Sequence, residues 1–195
     1  MKLTKRSRLG TVALAVGNAL REGGIEAVLT GGACANVYTG GHHVTADVDF
    51  VLRGSVTRQQ LNAAMATLGF ERRGDRYVHP RSPYYVEFPR GPVAIGADCQ
   101  IRPVEQRRGR MRTLSLSATD SCRDRLAAFY HWNDRQALRA AVAIALRRRV
   151  RMSVIQSWSE NEQAVAGFDE FRRELQRARR QRAQSTGRRR RSPRR

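Results

Sequence analysis

Apolar residues recur at helical spacing through much of the chain, and runs of alternating character separate them. Val12, Val16, Ala19 and Leu20 predict an amphipathic first helix over residues 9–20, ended by Gly23-Gly24. An apolar run at 26–29 reads as a strand, Gly31-Gly32 as a tight turn, and 33–38 as a short helix. Gly40-Gly41-His42-His43 then forms a loop before a second strand that closes on Leu52. Thr57 is the N-cap of a helix over 57–68, with Leu61, Met65 and Leu68 inward and Gly69 ending it. Residues 70–73 and 76–79 pair as a hairpin around Gly74-Asp75, a strand follows at 84–88, and 114–117 is a last strand.

Helices dominate the remainder. Ser117-Ala118-Thr119-Asp120 resembles a capping box and opens a helix over 119–132, with Cys122, Leu126 and Phe129 as its apolar stripe. Another covers 134–148, with Leu138, Val142, Ala145 and Leu146 inward. Ser153-Val154-Ile155-Gln156 has the look of a capped start for a third, packed through Ile155 and Trp158. Gly167 is expected to separate it from a fourth over 168–184, where Phe168, Phe171, Leu175 and Ala178 recur. Residues 185–195 hold too little apolar surface to fold. The expected class is α+β: a mixed-sheet core over 1–117, a helical segment over 118–166 completing a cleft, and a basic helix with a disordered Arg-rich tail over 167–195.

Charge changes the picture. The net charge is +20, and from Arg172 onward twelve arginines face the single acid Glu174, so more than half of the excess lies at the C-terminal end. Such a surface binds phosphate backbones through counterion release. No aromatic residue follows Phe171 to stack on bases, which argues against base reading by the tail. The three cysteines, Cys34, Cys99 and Cys122, are widely spaced and match neither a disulfide framework nor a zinc pattern. They read as reduced thiols of a cytoplasmic protein. No apolar run is long enough for a membrane span. Lys2, Lys5, Arg6 and Arg8 ahead of the first apolar stretch faintly imitate a secretory signal, but Gly10, Gly17 and Asn18 interrupt it.

The chemistry concentrates in residues 30–52. Side chains alternate along a strand, so Asp47 and Asp49 share one face while Val48 and Phe50 take the other. Two neighbouring carboxylates repel, and a divalent cation resolves the conflict; Mg²⁺ is usually held by one or two carboxylates plus substrate phosphates. Gly31-Gly32 lets backbone N–H groups approach a ligand and leads into a helix whose N-terminus favours phosphate. His42 and His43 either touch that phosphate or lie in a solvated loop. At 84–88, Tyr85 and Glu87 share a face opposite Tyr84, Val86 and Phe88, and an acid there needs a partner.

Gly31-Gly32 followed by Asp47-Val48-Asp49 resembles the signature of the polymerase-beta-like nucleotidyltransferase superfamily. Over residues 25–160 the chain looks most like small bacterial nucleotidyltransferases related to abortive-infection toxin–antitoxin pairs. The resemblance implies a small mixed sheet of the nucleotidyltransferase fold and Mg²⁺ held by Asp47 and Asp49. It also implies a nucleoside triphosphate such as ATP on Gly31 and Gly32, and a third acid acting on the acceptor hydroxyl. Glu87 is the candidate for that acid, against a plain salt bridge to an arginine, with Asp98 as the fallback. The following helical segment implies nucleotide contacts from Asp124, Arg125 and Asp134, with Arg125 standing where the family often has Lys. Arg binds phosphate as Lys does but cannot donate or accept a proton.

The expected activity is Mg²⁺-dependent transfer of a nucleotidyl group to a hydroxyl. The acceptor is RNA, such as a tRNA 3′ end, or a protein side chain; net charge favours RNA. In relatives of this kind an antitoxin protein is a partner. Two other readings stay open: an inactive nucleotide- or RNA-binding module of the same fold, and a phosphodiesterase or nuclease using the same acids.

Overall fold

The computed structural model describes residues 3–191, and side chains as far as Gln184. It is a mixed α/β structure, in agreement with the expected class. Seven strands and seven helices are present among the described residues. The chain opens with α1 (Leu9–Glu22), β1 (Ala27–Leu29), α2 (Gly31–Thr39) and β2 (Asp47–Leu52). Next come α3 (Arg58–Ala66), the hairpin β3 (Glu71–Arg73) and β4 (Arg76–Val78), and β5 (Tyr85–Glu87). A second hairpin, β6 (Val104–Arg108) and β7 (Met111–Ser115), precedes α4 (Ala118–Trp132), α5 (Arg135–Arg147), α6 (Met152–Asn161) and α7 (Val165–Arg191).

The sheet order is β3-β4-β5-β2-β1-β7-β6. β1 runs antiparallel to β2 and parallel to β7, and β2 runs parallel to β5. β2 therefore lies inside the sheet, where neighbours on both sides fix its register. Val48 and Phe50 are fully buried, which leaves Asp47 and Asp49 on the opposite, half-buried face. A one-residue slip would put both aspartates into the core, so the hydrophobic pattern itself pins the acids outward.

Local signals explain most boundaries. Thr57 and Gln60 close a complete capping box on α3, and Ser117 caps α4 by accepting from the Asp120 N–H. Three expectations need correction. β6 is a strand that polar sequence concealed: Val-Glu-Gln-Arg-Arg is an exposed edge, where charged side chains are normal and alternation is lost. α6 starts at Met152, and Arg151 is its N-cap with no side-chain cap; Ser153 lies inside the helix. The break before α7 is at Gln163, which takes a left-handed φ of 56°, and Gly167 sits in the first turn of α7. A Cβ there would lie 2.7 Å from the Tyr130 ring, so that glycine serves helix packing.

α7 continues past the expected end at 184 to Arg191, which corrects the expectation that this part of the tail does not fold. Arg, Gln and Ala extend an established helix cheaply through 184, and 185–191 follow although Ser185, Thr186 and Gly187 are poor helix formers. The last residues of the Arg-rich tail, 192–195, lie outside the described residues. Phe168, Phe171 and Leu175 join α7 to the same core cluster that contains Val28, Phe50 and Leu126. No described helix is long and apolar enough to cross a membrane.

Candidate active site

The β1–β2 ladder continues one step beyond β1: Thr30 donates its N–H to the Asp49 carbonyl at 3.0 Å. The next residue, Gly31, has φ +64° and turns the chain across the face that carries Asp49. A Cβ at Gly31 would overlap the Asp49 carboxylate, so only glycine fits. The glycine turn and the acidic strand therefore meet. Gly32 packs against Thr45 and His43, where a Cβ would come within 2.9 Å of Thr45 Cγ2. Thr45 Oγ1 donates to Asp47 Oδ1 and fixes that carboxylate. α2 begins at the turn, and Thr30 gives it no side-chain cap, so its N-terminal N–H groups face this site without a local acceptor.

Glu87 joins the same face. β5 runs parallel to β2 with Asp47 opposite Tyr85 and Asp49 opposite Glu87. Arg76, opposite Glu87 on β4, stacks over the Tyr85 ring at 4.9 Å. The fallback acid, Asp98, is used elsewhere: its carboxylate accepts from the buried Arg123 and from the Gln100 N–H. Those bonds hold its carboxyl below the ordinary range.

α4 closes the site from the other side. Arg125 donates to Asp124 Oδ2 through Nε at 3.0 Å and Nη2 at 2.8 Å. Burial opposes its charge, but Asp124 and the field of Asp49 outweigh that and push its pKa above the usual value. Arg125 is thus a fixed cation facing the acids, with Asp124 as its holder. Asp134 is largely committed to structure: it caps α5 through bonds from Gln136 N at 2.8 Å and Ala137 N at 3.0 Å. Its field still reaches His43, whose pKa falls below the ordinary value because of burial and Arg125, against the pull of Asp134 and Asp47. His42 turns back to the Thr39 carbonyl at 2.9 Å.

Cys34 and Cys122 are buried and free, and Cys99 is free and exposed. Burial pushes the Cys34 thiol up to about 12, so it is an inert neighbour of the site. Sequence reasoning did not single out Thr45 or Arg76. Their only signal was position, two residues before Asp47 and across a hairpin from Glu87. A cavity of about 540 Å³, lined by Asp98, Arg123, Trp158 and Glu162, lies away from these acids. Arg123 and Arg125 are two residues apart on one helix and point to nearly opposite sides.

Asp49 carries the electrostatic tension. Burial, then Asp47, then Glu87 push its carboxyl from 3.8 up to about 7. Between those values the folded protein holds a proton that the unfolded chain releases, so this group's contribution to stability declines as pH rises and is lowest above 7. In EDTA, the thermal midpoint of wild type relative to Asp49→Asn is expected to fall between pH 5 and pH 8. Equal pH profiles for the two proteins would show that burial and the neighbouring acids do not raise the Asp49 carboxyl.

Among the described residues, no three His, Cys, Asp or Glu side chains form a self-sufficient metal cage. The donor set suits a hard cation that completes its shell with ligands from a bound molecule.

Neither a family model nor a curated protein matches the chain. Among solved structures, it is similar to the crystal structure of an antigenic nucleotidyltransferase-like protein from Paracoccidioides brasiliensis. The TM-score is 0.55 at 17% identity, over 72% of this chain and 77% of that one. The fold is nucleotidyltransferase-like.

Proposed function

We propose that the protein transfers a nucleotidyl group from a nucleoside triphosphate to a hydroxyl of RNA, with Mg²⁺ held by Asp47 and Asp49. The observation that carries this reading is the meeting of Gly31 with Asp49, which shares its face with Asp47 and stands opposite Glu87 in the sheet register. Magnesium, when bound, neutralises triphosphate charge and activates the phosphorus for attack. Gly31, Gly32 and the N-terminus of α2 offer N–H groups to the phosphates. Arg125 supplies fixed positive charge where negative charge builds up. Glu87 orients the acceptor hydroxyl and takes its proton as the oxygen bonds to the α-phosphorus and pyrophosphate leaves. The strongly basic surface makes RNA the favoured acceptor.

The test is incubation with each of the four α-labelled triphosphates and bulk RNA, with Mg²⁺ or with EDTA. Label is expected in RNA only with Mg²⁺. Label in protein would replace the acceptor. Mg²⁺-dependent triphosphate binding without incorporation would reduce the protein to a binding module, and neither binding nor incorporation would overturn the reading.

A further inference from the structure

Two hollows adjoin beside the acid face. One, of about 340 Å³, is lined by Arg8, Thr11, Gln106, Arg107, Arg108 and Arg148. The other, of about 280 Å³, includes His43, Thr45 and Tyr84. Arg8, Asn36 and the Gly40-Gly41 turn line both, so the hollows form one trough. None of the described lining residues is acidic. Gly40 and Gly41 have φ of 67° and 96°, and a Cβ on either would meet nothing within 4 Å, so the floor between the hollows is bare backbone.

The arginines at the far end are held in place with donors to spare. Arg108 gives one N–H to Thr11 Oγ1 at 3.0 Å, Arg148 gives Nε to the Tyr38 carbonyl at 3.1 Å, and Arg107 pairs with Glu105. A guanidinium has five donors, so each can still bind a phosphate. At the near end, Thr45 holds Asp47, and Tyr84 precedes the strand that carries Glu87.

We propose that this trough binds the acceptor as single-stranded RNA. Its phosphates lie on Arg8, Arg107 and Arg108, and its 3′-terminal nucleotide reaches past Tyr84 to the acids. The direction of the strand rests on the transfer reading above, because the reacting hydroxyl must end at Asp47, Asp49 and Glu87. A single strand is favoured because the trough passes over bare glycine backbone and ends beside a tyrosine, where an unpaired base can stack.

The test measures fluorescence anisotropy of a short labelled oligoadenylate at several salt concentrations, without triphosphate. Arg8→Gln/Arg107→Gln/Arg108→Gln is expected to weaken binding about tenfold or more and to lower the salt slope by about 2, as for three lost phosphate contacts on a single strand. The matched α7 variant Arg177→Gln/Arg179→Gln/Arg180→Gln should bind within about threefold of wild type. A photoreactive base at the 3′ end should cross-link near Tyr84, and one several positions upstream should cross-link the β6–β7 hairpin.

Unchanged affinity in the trough variant, an equal loss in the α7 variant, equally tight binding of duplex RNA, or reversed cross-links would each overturn the proposal. These readouts need no turnover. Failure of nucleotide transfer with trough binding intact would sink the transfer reading alone. Transfer to RNA that persists undiminished in the trough variant would sink the trough alone.

Discussion

Asp47→Asn is expected to lower kcat/KM for nucleotide transfer by about a thousandfold, the loss of roughly 4 kcal/mol of transition-state stabilisation that a charged metal ligand supplies. It should leave the fold as stable as wild type or slightly more so. Asn keeps an oxygen for the Thr45 hydroxyl, so the local hydrogen bond survives. It also removes one of the charges that push the Asp49 carboxyl up to about 7, which relieves repulsion between the acids when EDTA withholds the metal. Activity and stability therefore move apart, and misfolding would move them together. Steady-state transfer assays with thermal melts in EDTA check this. Activity within tenfold of wild type would mean that Asp47 does not hold the reacting nucleotide's metal.

The acid face was legible because a strand's period of two is rigid. Once Val48 and Phe50 are assigned to the core, Asp47 and Asp49 must project together, and the same alternation puts Glu87 with Tyr85. The contact of Gly31 with Asp49 was only half legible. Glycine announced a tight turn, but its placement depends on the pairing of β1 with β2, a contact distant in sequence. The placement of Glu87 and Asp98 was hidden for a similar reason: parallel pairing of β5 with β2 sets Glu87 opposite Asp49, while Asp98 pairs with Arg123. The helical segment gave its elements by periodicity but hid its electrostatics. Arg123 and Arg125 look alike in sequence, yet one is a buried strut and the other faces the acids. β6 was missed because an exposed edge strand needs no apolar alternation, and the bend at Gln163 because a non-glycine residue there takes a left-handed conformation that composition does not announce.

That contrast within α4 leads to a second expected result. Arg123→Ala should destabilise the protein by about 3–5 kcal/mol, because it leaves charged partners in a mostly dry setting. Its guanidinium is nearly fully buried and bonds Asp98 and, at 3.0 Å, Asp120, which is itself 8% exposed. It also lies over the Trp158 ring, with its carbon 5.1 Å from the centroid, and so ties α4 to α6 and to the 95–98 loop. For a chain of this size the loss corresponds to a fall in thermal midpoint of about 6–20 °C. Because pairing holds Asp98 below its ordinary pKa, its contribution is present above the ordinary carboxylate range and fades as pH falls below it. Arg123→Ala should flatten that acid-side decline. Arg123→Met/Asp120→Asn should recover part of the stability, since a neutral pair needs no counter-charge. In the cold, where the variants stay folded, triphosphate affinity should match wild type; Arg125→Ala should show the reverse pattern, with weaker nucleotide binding and a smaller change in midpoint. A midpoint for Arg123→Ala within two degrees of wild type would show that the two faces of α4 do not divide the labour of structure and chemistry in this way.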